Sequence, residues 1–236
     1  MNFDLSEEQQ LLKDSVDRFV GDNYDLDTRQ KLSKNEAGFS DTYWQTMAEL
    51  GWLGVTVPEA HGGFGGNQAD TMVLMEAFGK GLVLEPFFAS AVLGTRAIVG
   101  GGSEELQSKL LPQLLTGTSR LSLAYAEEQS RFDLEDVVTR ATPNDDGYTI
   151  TGQKSMVQHG GSADYVVVSA RTSGGQRDES GITLFLVDAK SDGVSVDAFP
   201  TVDGQQAAEL RFDIVQVGRG DRLGEQDAGY GLLQDI

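Results

Sequence analysis

Apolar positions recur at helical spacing through the first half of the chain and at alternate positions through the second. Near the start, Leu12, Val16, Phe19 and Val20 share one helical face. Ser6 as N-cap and Gln9 three residues on form a capping box ahead of it. Ser40 and Asp41 open a second helix with Tyr43, Trp44, Met47 and Leu50 at helical spacing, and Gly51 ends it. Asn67 opens a long helix to about Leu84, with Met72, Met75, Phe78 and Leu82 toward the core, and Glu85-Pro86 breaks it. That methionine and aromatic stripe reads as packing rather than as a cofactor box. Ala89, Val92, Leu93, Ala97 and Ile98 make the next helical face, ended by Gly100, Gly101 and Gly102. Ser103 caps a last helix with Leu106, Leu110 and Leu114 on one side and Pro112 expected to kink or split it. Thr116-Gly117-Thr118 is a linker.

Beyond Ser119 the period changes to two. Leu121, Leu123 and Tyr125 alternate as in a half-buried strand, and an acidic irregular run, Glu127 to Asp136, follows. Val137 to Thr139 and Tyr148 to Thr151 read as strands around a turn at Asn144-Asp145-Asp146-Gly147, where the glycine is expected to supply a positive φ. A separate short strand, Ser155 to Gln158, ends at Gly160-Gly161. Further strands run Tyr165–Ala170, Ile182–Val187, Val194–Phe199 and Ala208–Phe212. Strands without intervening helices imply an antiparallel barrel or sandwich. Gly229 to Ile236 reads as the opening of another helix. The expectation is an α+β chain: a helical domain over 1–117, a β domain over 118–224, and the start of a truncated C-terminal helical domain over 225–236.

With 236 residues, 39% of them hydrophobic, the chain can bury one large core or two smaller ones. A net charge of −19 argues against nucleic acid and anionic membrane surfaces as partners. The absence of cysteine removes disulfides, thiolate catalysis and cysteine-ligated metals. No apolar run approaches a membrane span, and the acidic N-terminus lacks the order of a signal peptide, so a cytoplasmic location is expected. The glycines of His61 to Gly66 have neither dinucleotide-fingerprint nor P-loop spacing and read as a tight surface loop. His61 and His159 are too far apart to read as a metal site, and no metal is expected. Glu127 and Glu128 read as solvated loop carboxylates ahead of an acid/base pair. Arg211 reads as a strand-edge salt bridge.

Glu127, Asp133, Gly147, Tyr148, Ile150, Gly152, Lys154, Val157, Gly160, Ala163 and Asp164 fall in order on one pattern, without a gap from Leu123 to Gly160. The pattern resembles the β domain of flavin-dependent acyl-CoA dehydrogenases. Gly51-Trp52-x-Gly54 and Pro58-Glu59-x-x-Gly62-Gly63-x-Gly65 are similar to that family's N-terminal helical domain. The resemblance implies two of the family's three domains. The third, a C-terminal four-helix bundle absent from this chain, supplies the family's carboxylate base and part of the flavin site and makes the oligomer. The chain is therefore expected to be inactive alone, with no catalytic residue of its own. The implied reaction is FAD-dependent oxidation of an acyl-CoA thioester to the 2-enoyl thioester.

The resemblance places the FAD site on Leu123, Tyr125, Ala126, Arg131, Phe132, Met156, Val157 and Gln158, with Arg131 and Phe132 also touching substrate. Here Ala126 stands for the family's threonine, Arg131-Phe132 for Gly-Ser, and Met156-Val157-Gln158 for Trp-Ile-Thr. Arg131 adds a cation suited to a phosphate, and Phe132 a ring that could stack. His159 is either loop structure or a neighbour of the flavin. The runs Leu82–Phe87, Arg131–Leu134 and Val157–Gly160 look like a subgroup containing the small subunits of pimeloyl-CoA dehydrogenases and steroid-side-chain dehydrogenases. In such pairs one subunit can rely on its partner's flavin site. The implied partners are an acyl-CoA, an electron-transfer flavoprotein, and a homo- or hetero-oligomer, dimer or tetramer. The alternatives are a non-catalytic subunit of a hetero-oligomer, a non-redox acyl-CoA-binding module, and a flavin monooxygenase on the same architecture.

Overall fold

In the computed structural model, which describes residues 4–236, Ser6 and Gln9 each accept the other's backbone N–H at 3.1 Å. They close the N-terminus of α1, Glu7–Asn23, which buries Val16 and Phe19. Residues 1–3, part of the N-terminus read for a leader, lie outside the described residues. A short helix that periodicity does not reveal follows: α2, Leu26–Leu32, capped by Asp25. Ser40 caps α3, Asp41–Glu49, as expected, and Gly51 takes the left-handed conformation just past it.

Asn67 caps α4, Gln68–Gly81, which is shorter than the sequence suggests. Its buried face is Val73, Leu74, Ala77 and Phe78, whereas Met72 and Leu82 are more than half exposed. The stripe is thus rotated from the expected one, because α1 packs along α4 and Leu82 is a left-handed C-cap turned away from the core. Phe87–Gly94 is a π-helix, and α5, Thr95–Gly101, continues from it. Ser103 caps α6, Glu104–Leu115, which is not split at Pro112; the proline forgoes one internal hydrogen bond. The helical core gathers Phe19, Trp44, Trp52, Phe78 and Phe87, with Phe19 edge-on to Trp52 at 5.3 Å and Phe78 to Phe87 at 4.9 Å.

The second half forms one eight-stranded sheet. Its strands are β1 Leu121–Ala124, β2 Arg140–Pro143, β3 Gly147–Gln158, β4 Tyr165–Arg171, β5 Ile182–Asp188, β6 Val194–Pro200, β7 Gln206–Gly218 and β8 Arg222–Leu223. The order is β6-β7-β3-β2-β4-β5-β8, with β1 paired to β4. The path ends on β6 and β8, so the sheet is open, and it is mixed: β1 runs parallel to β4, and β2 meets β4 parallel at Arg140–Arg171. The last helix, α7, is Gly229–Asp235.

Three expectations about strands change. Val137–Thr139 is not a strand, because its N–H groups go to Gln176 and the Glu127 carboxylate; the strand begins at Arg140. Tyr148 to Gln158 is one strand with two register shifts instead of two strands. Leu121 to Ala124 is buried on both faces rather than one, since Leu121 and Leu123 face the seam with the helices while Ala124 joins the sheet's inner core. Gly94 permits that seam: a Cβ there would lie 2.4 Å from Leu121 Cβ. Gly147 is also required for close approach and not for positive φ, because a Cβ would lie 2.2 Å from the Val217 carbonyl oxygen.

Candidate functional site

A cleft of about 1200 Å³ opens between the two halves. The end of α4 and the π-helix supply Phe78, Val83, Phe87, Phe88 and Ala89. The residues leaving β1 supply Tyr125 and Ala126, and β3 supplies Ser155, Met156 and Gln158. The β6–β7 turn, Thr201 to Gln206, lines the same cleft. A smaller apolar pocket of about 280 Å³ shares Phe88, Ala89, Tyr125, Met156 and Gln158 with it and is completed by Leu93, Leu123, Leu134, Leu233 and Ile236. The π-helix that makes one wall has no sequence signature of its own; such helices are rare and concentrate at functional sites.

The structure brings Tyr125, Ala126, Arg131, Phe132, Met156 and Gln158 to the main cleft, and Leu123 to the side pocket. Val157 is the exception. Its side chain is buried in the core of the sheet and lines neither space, because the strand's alternation turns it inward. Phe132 is almost wholly exposed at the cleft mouth. Arg131, Met156 and His159 all hold φ near +50°, a left-handed conformation costly for residues with a Cβ and concentrated at functional sites.

Beneath Tyr125 and Ala126 lies a feature the sequence reading missed. Lys154 is fully buried, and its Nζ donates to Glu127 Oε1 at 2.8 Å, Ser169 Oγ at 2.9 Å and the Tyr125 carbonyl at 3.2 Å. Glu127 also accepts the N–H groups of Val138 and Thr139 and the Gln129 amide. Glu127 is therefore not a solvated carboxylate. The pair pins both ends of the 125–139 loop to the sheet. Burial pushes the Glu127 carboxyl up, but the Lys154 charge and these donors together hold it below its usual range. Burial pulls Lys154 down to about 8, against the raising effect of Glu127. A lysine inside a strand, four residues beyond Ile150, is the signal that could have exposed the pair, because a buried lysine needs an acid and the preceding acidic run supplies one.

Glu85 is a second buried carboxyl in the cleft wall. It accepts hydrogen bonds from the Tyr24 hydroxyl and, at 3.1 Å, from the Ser40 N–H, and it forms no ion pair among the described residues. Burial raises its pKa. A carboxyl with a raised folded pKa loses stability as pH climbs from its unfolded value through its folded one. Glu85→Gln should therefore melt about 2–4 °C above the wild type at pH 8, as about 1 kcal/mol does in a chain this size, and level with it at pH 3.5. Thermal melts at the two pH values check this.

His159 takes the loop role and also borders the cleft. Gln205 donates its amide N–H to the Val83 carbonyl at 2.9 Å, so its oxygen faces His159 Nε2 at 2.9 Å and the ring proton sits on Nε2. Burial pulls the histidine pKa down. Arg29 donates to the Leu82 and Asp203 carbonyls beside it, so the β6–β7 turn is latched to the end of α4. Arg211 is exposed on β7 with no ion pair among the described residues, so the expected salt bridge is absent there. Among the described residues no group of three or more histidine, aspartate or glutamate side chains could hold a metal. None of the described helices is long and apolar enough to cross a membrane.

The sequence matches the acyl-CoA dehydrogenase N-terminal domain over residues 6–118 and the acyl-CoA dehydrogenase middle domain over residues 122–215. It is 27% identical to acyl-CoA dehydrogenase FadE26 of Mycobacterium tuberculosis, over 99% of this chain and 60% of that protein. It superposes on the ChsE4–ChsE5 complex from Mycobacterium tuberculosis with a TM-score of 0.86 at 28% identity, covering 98% of this chain and 61% of that one. It superposes on the FAD complex of PigA with a TM-score of 0.89 at 25% identity, covering 100% of this chain and 62% of that one. A helical domain, an open mixed sheet and a cleft at their junction define the class, and this chain belongs to the acyl-CoA dehydrogenase family. It spans about 60% of the length of the relatives it matches.

Proposed function

We propose that this chain forms the helical and sheet domains of an FAD-dependent acyl-CoA dehydrogenase that oxidises an acyl-CoA thioester to its 2-enoyl form. The observation that carries this reading is the cleft at the seam of the two family-matched domains, lined by Tyr125, Ala126, Arg131, Phe132, Met156 and Gln158. Its volume exceeds that of ordinary small-molecule pockets, as a dinucleotide needs. Met156 and Tyr125 offer apolar surface to a flat ring, Gln158 offers an amide, and Arg131 is a cation for a phosphate. When bound, FAD supplies the two-electron acceptor.

The chain's own residues bind, orient and exclude water. Met156 and Gln158 of β3 and the 125–126 backbone would hold the flavin, and the Lys154–Glu127 pair beneath fixes that backbone. Phe88, Leu93 and Leu123 in the side pocket suit the alkyl part of a thioester. The proposal takes the proton acceptor for the α-carbon from outside these residues, and further cations for a diphosphate as well, because Arg131 shares the cleft lining with Glu85, Glu128, Asp203 and Glu209. That imbalance supports a second reading, in which the chain is one subunit of a hetero-oligomer and its partner completes the site. The proposal includes a cytoplasmic location and an electron-transfer flavoprotein as acceptor.

The test is the visible spectrum of the purified protein, alone and with any chain that co-purifies, under anaerobic conditions with a panel of acyl-CoA thioesters. A flavin spectrum that bleaches with one thioester is the expected result. A protein that takes up no flavin under either condition sinks the redox reading in favour of a binding module.

A further inference from the structure

The register of β3 on β7 shifts between Lys154, opposite Leu210, and Val157, opposite Ala208. Ser155 and Met156 together therefore face one residue, Glu209, and this is a β-bulge. Glu209 is also the bulge's hydrogen-bond partner. Its carboxylate accepts the Ser155 hydroxyl at 2.8 Å, the Gln153 amide at 3.1 Å and the Met156 N–H at 3.4 Å. A bulge leaves its extra residue unpaired in the ladder, and here a side chain from the neighbouring strand stands in for the carbonyl missing at Met156. The bulge holds Met156 at a left-handed φ of 52°, with its side chain more than half exposed between the main cleft and the side pocket. Bulges re-aim side chains at sites of this kind. Glu209 itself lines the cleft, and the eight residues singled out from the sequence do not include it.

We infer that Glu209 is a positioning residue: it sets the Met156 bulge and thereby the surface that β3 presents to the flavin. The inference rests on the flavin reading for its ligand but not for its geometry. Oε1 accepts the Met156 N–H and Oε2 the other two donors; a glutamine with its amide oxygen toward Met156 keeps the acceptor for the backbone N–H, and alanine keeps neither. Glu209→Gln therefore preserves the bulge and Glu209→Ala releases it. Ser155→Ala removes one donor and falls between them.

The experiment compares wild type, Glu209→Gln, Glu209→Ala and Ser155→Ala by hydrogen exchange over the 153–158 segment and by FAD titration followed through flavin fluorescence. Melting temperatures are measured alongside. Exchange at the Met156 amide should rise at least about tenfold in Glu209→Ala, a factor equal to about 1.4 kcal/mol. FAD affinity should fall by a similar factor, with Glu209→Gln near wild type in both. Wild-type exchange in Glu209→Ala overturns the inference. Faster exchange with unchanged FAD affinity overturns its cofactor part. Equal losses in Glu209→Gln and Glu209→Ala assign the effect to the charge and also overturn it. A wild type that takes up no FAD contradicts the flavin reading instead, and the exchange comparison still decides whether Glu209 holds the bulge.

Discussion

Lys154→Met should lower unfolding stability by about 3–5 kcal/mol, the cost of leaving one member of a buried ion pair without its partner. Glu127 would keep its backbone donors but lose the one cation paired with it among the described residues, in a site where it is itself 5% exposed. The double variant Glu127→Gln/Lys154→Met should recover part of that loss, because it leaves no buried charge unpaired and the amide oxygen still accepts one of the two backbone N–H groups. Urea unfolding of the singles and the double forms the cycle that measures it. The pH dependence has a definite sign. Glu127 is held below its ordinary range, so its contribution is complete above the unfolded carboxylate pKa and is lost as pH falls through the folded one. The gap between wild type and Glu127→Gln should accordingly close on acidification. A gap that widens toward low pH would show that the pair is not what holds the loop.

Trp44→Ala should cost about 3–5 kcal/mol, as expected for emptying a fully buried indole site. Its Nε1–H donates to the Gly117 carbonyl at 3.0 Å, and the Gln45 amide donates to the same oxygen. Gly117 lies in the linker between the helical and sheet halves, so the loss should extend beyond the helical core. Limited proteolysis should cut Trp44→Ala near residues 116–120 well before the wild type is cut. Trp44→Phe keeps most of the packing and loses one hydrogen bond, so it should cost only about 1 kcal/mol. Equal losses in the two variants would contradict the packing argument.

What was legible in the sequence was local. Ser6, Ser40, Asn67 and Ser103 all cap the helices expected of them, because a cap is settled within three residues of itself. The ordered pattern from Leu123 to Gly160 led to the cleft, since side chains near strand ends keep their direction when the strand is placed. What was missed depends on distant partners. Glu127 looks like any loop carboxylate until Lys154, 27 residues on, is seen beneath it. Met72 and Leu82 looked like core until α1 took the neighbouring face of α4. Val137 and Val138 have strand composition, but their N–H groups are claimed by a glutamine and a glutamate instead of a neighbouring strand. Val157 sits in a motif whose outer members reach the cleft, and alternation alone turns it inward.

The parallel seating of β1 has a consequence for how the chain is made. Leu121 to Ala124 pairs with Tyr165 to Val168, so each residue's partner lies 44 positions later. At about 5–20 residues per second, roughly 2–9 s of translation separate the two strands. Everything through α6 has emerged by then, so an apolar four-residue edge is attached to a finished set of helices with nothing to pair with. During that interval the nascent protein carries an unpaired apolar strand, the kind of segment that ribosome-associated chaperones cover.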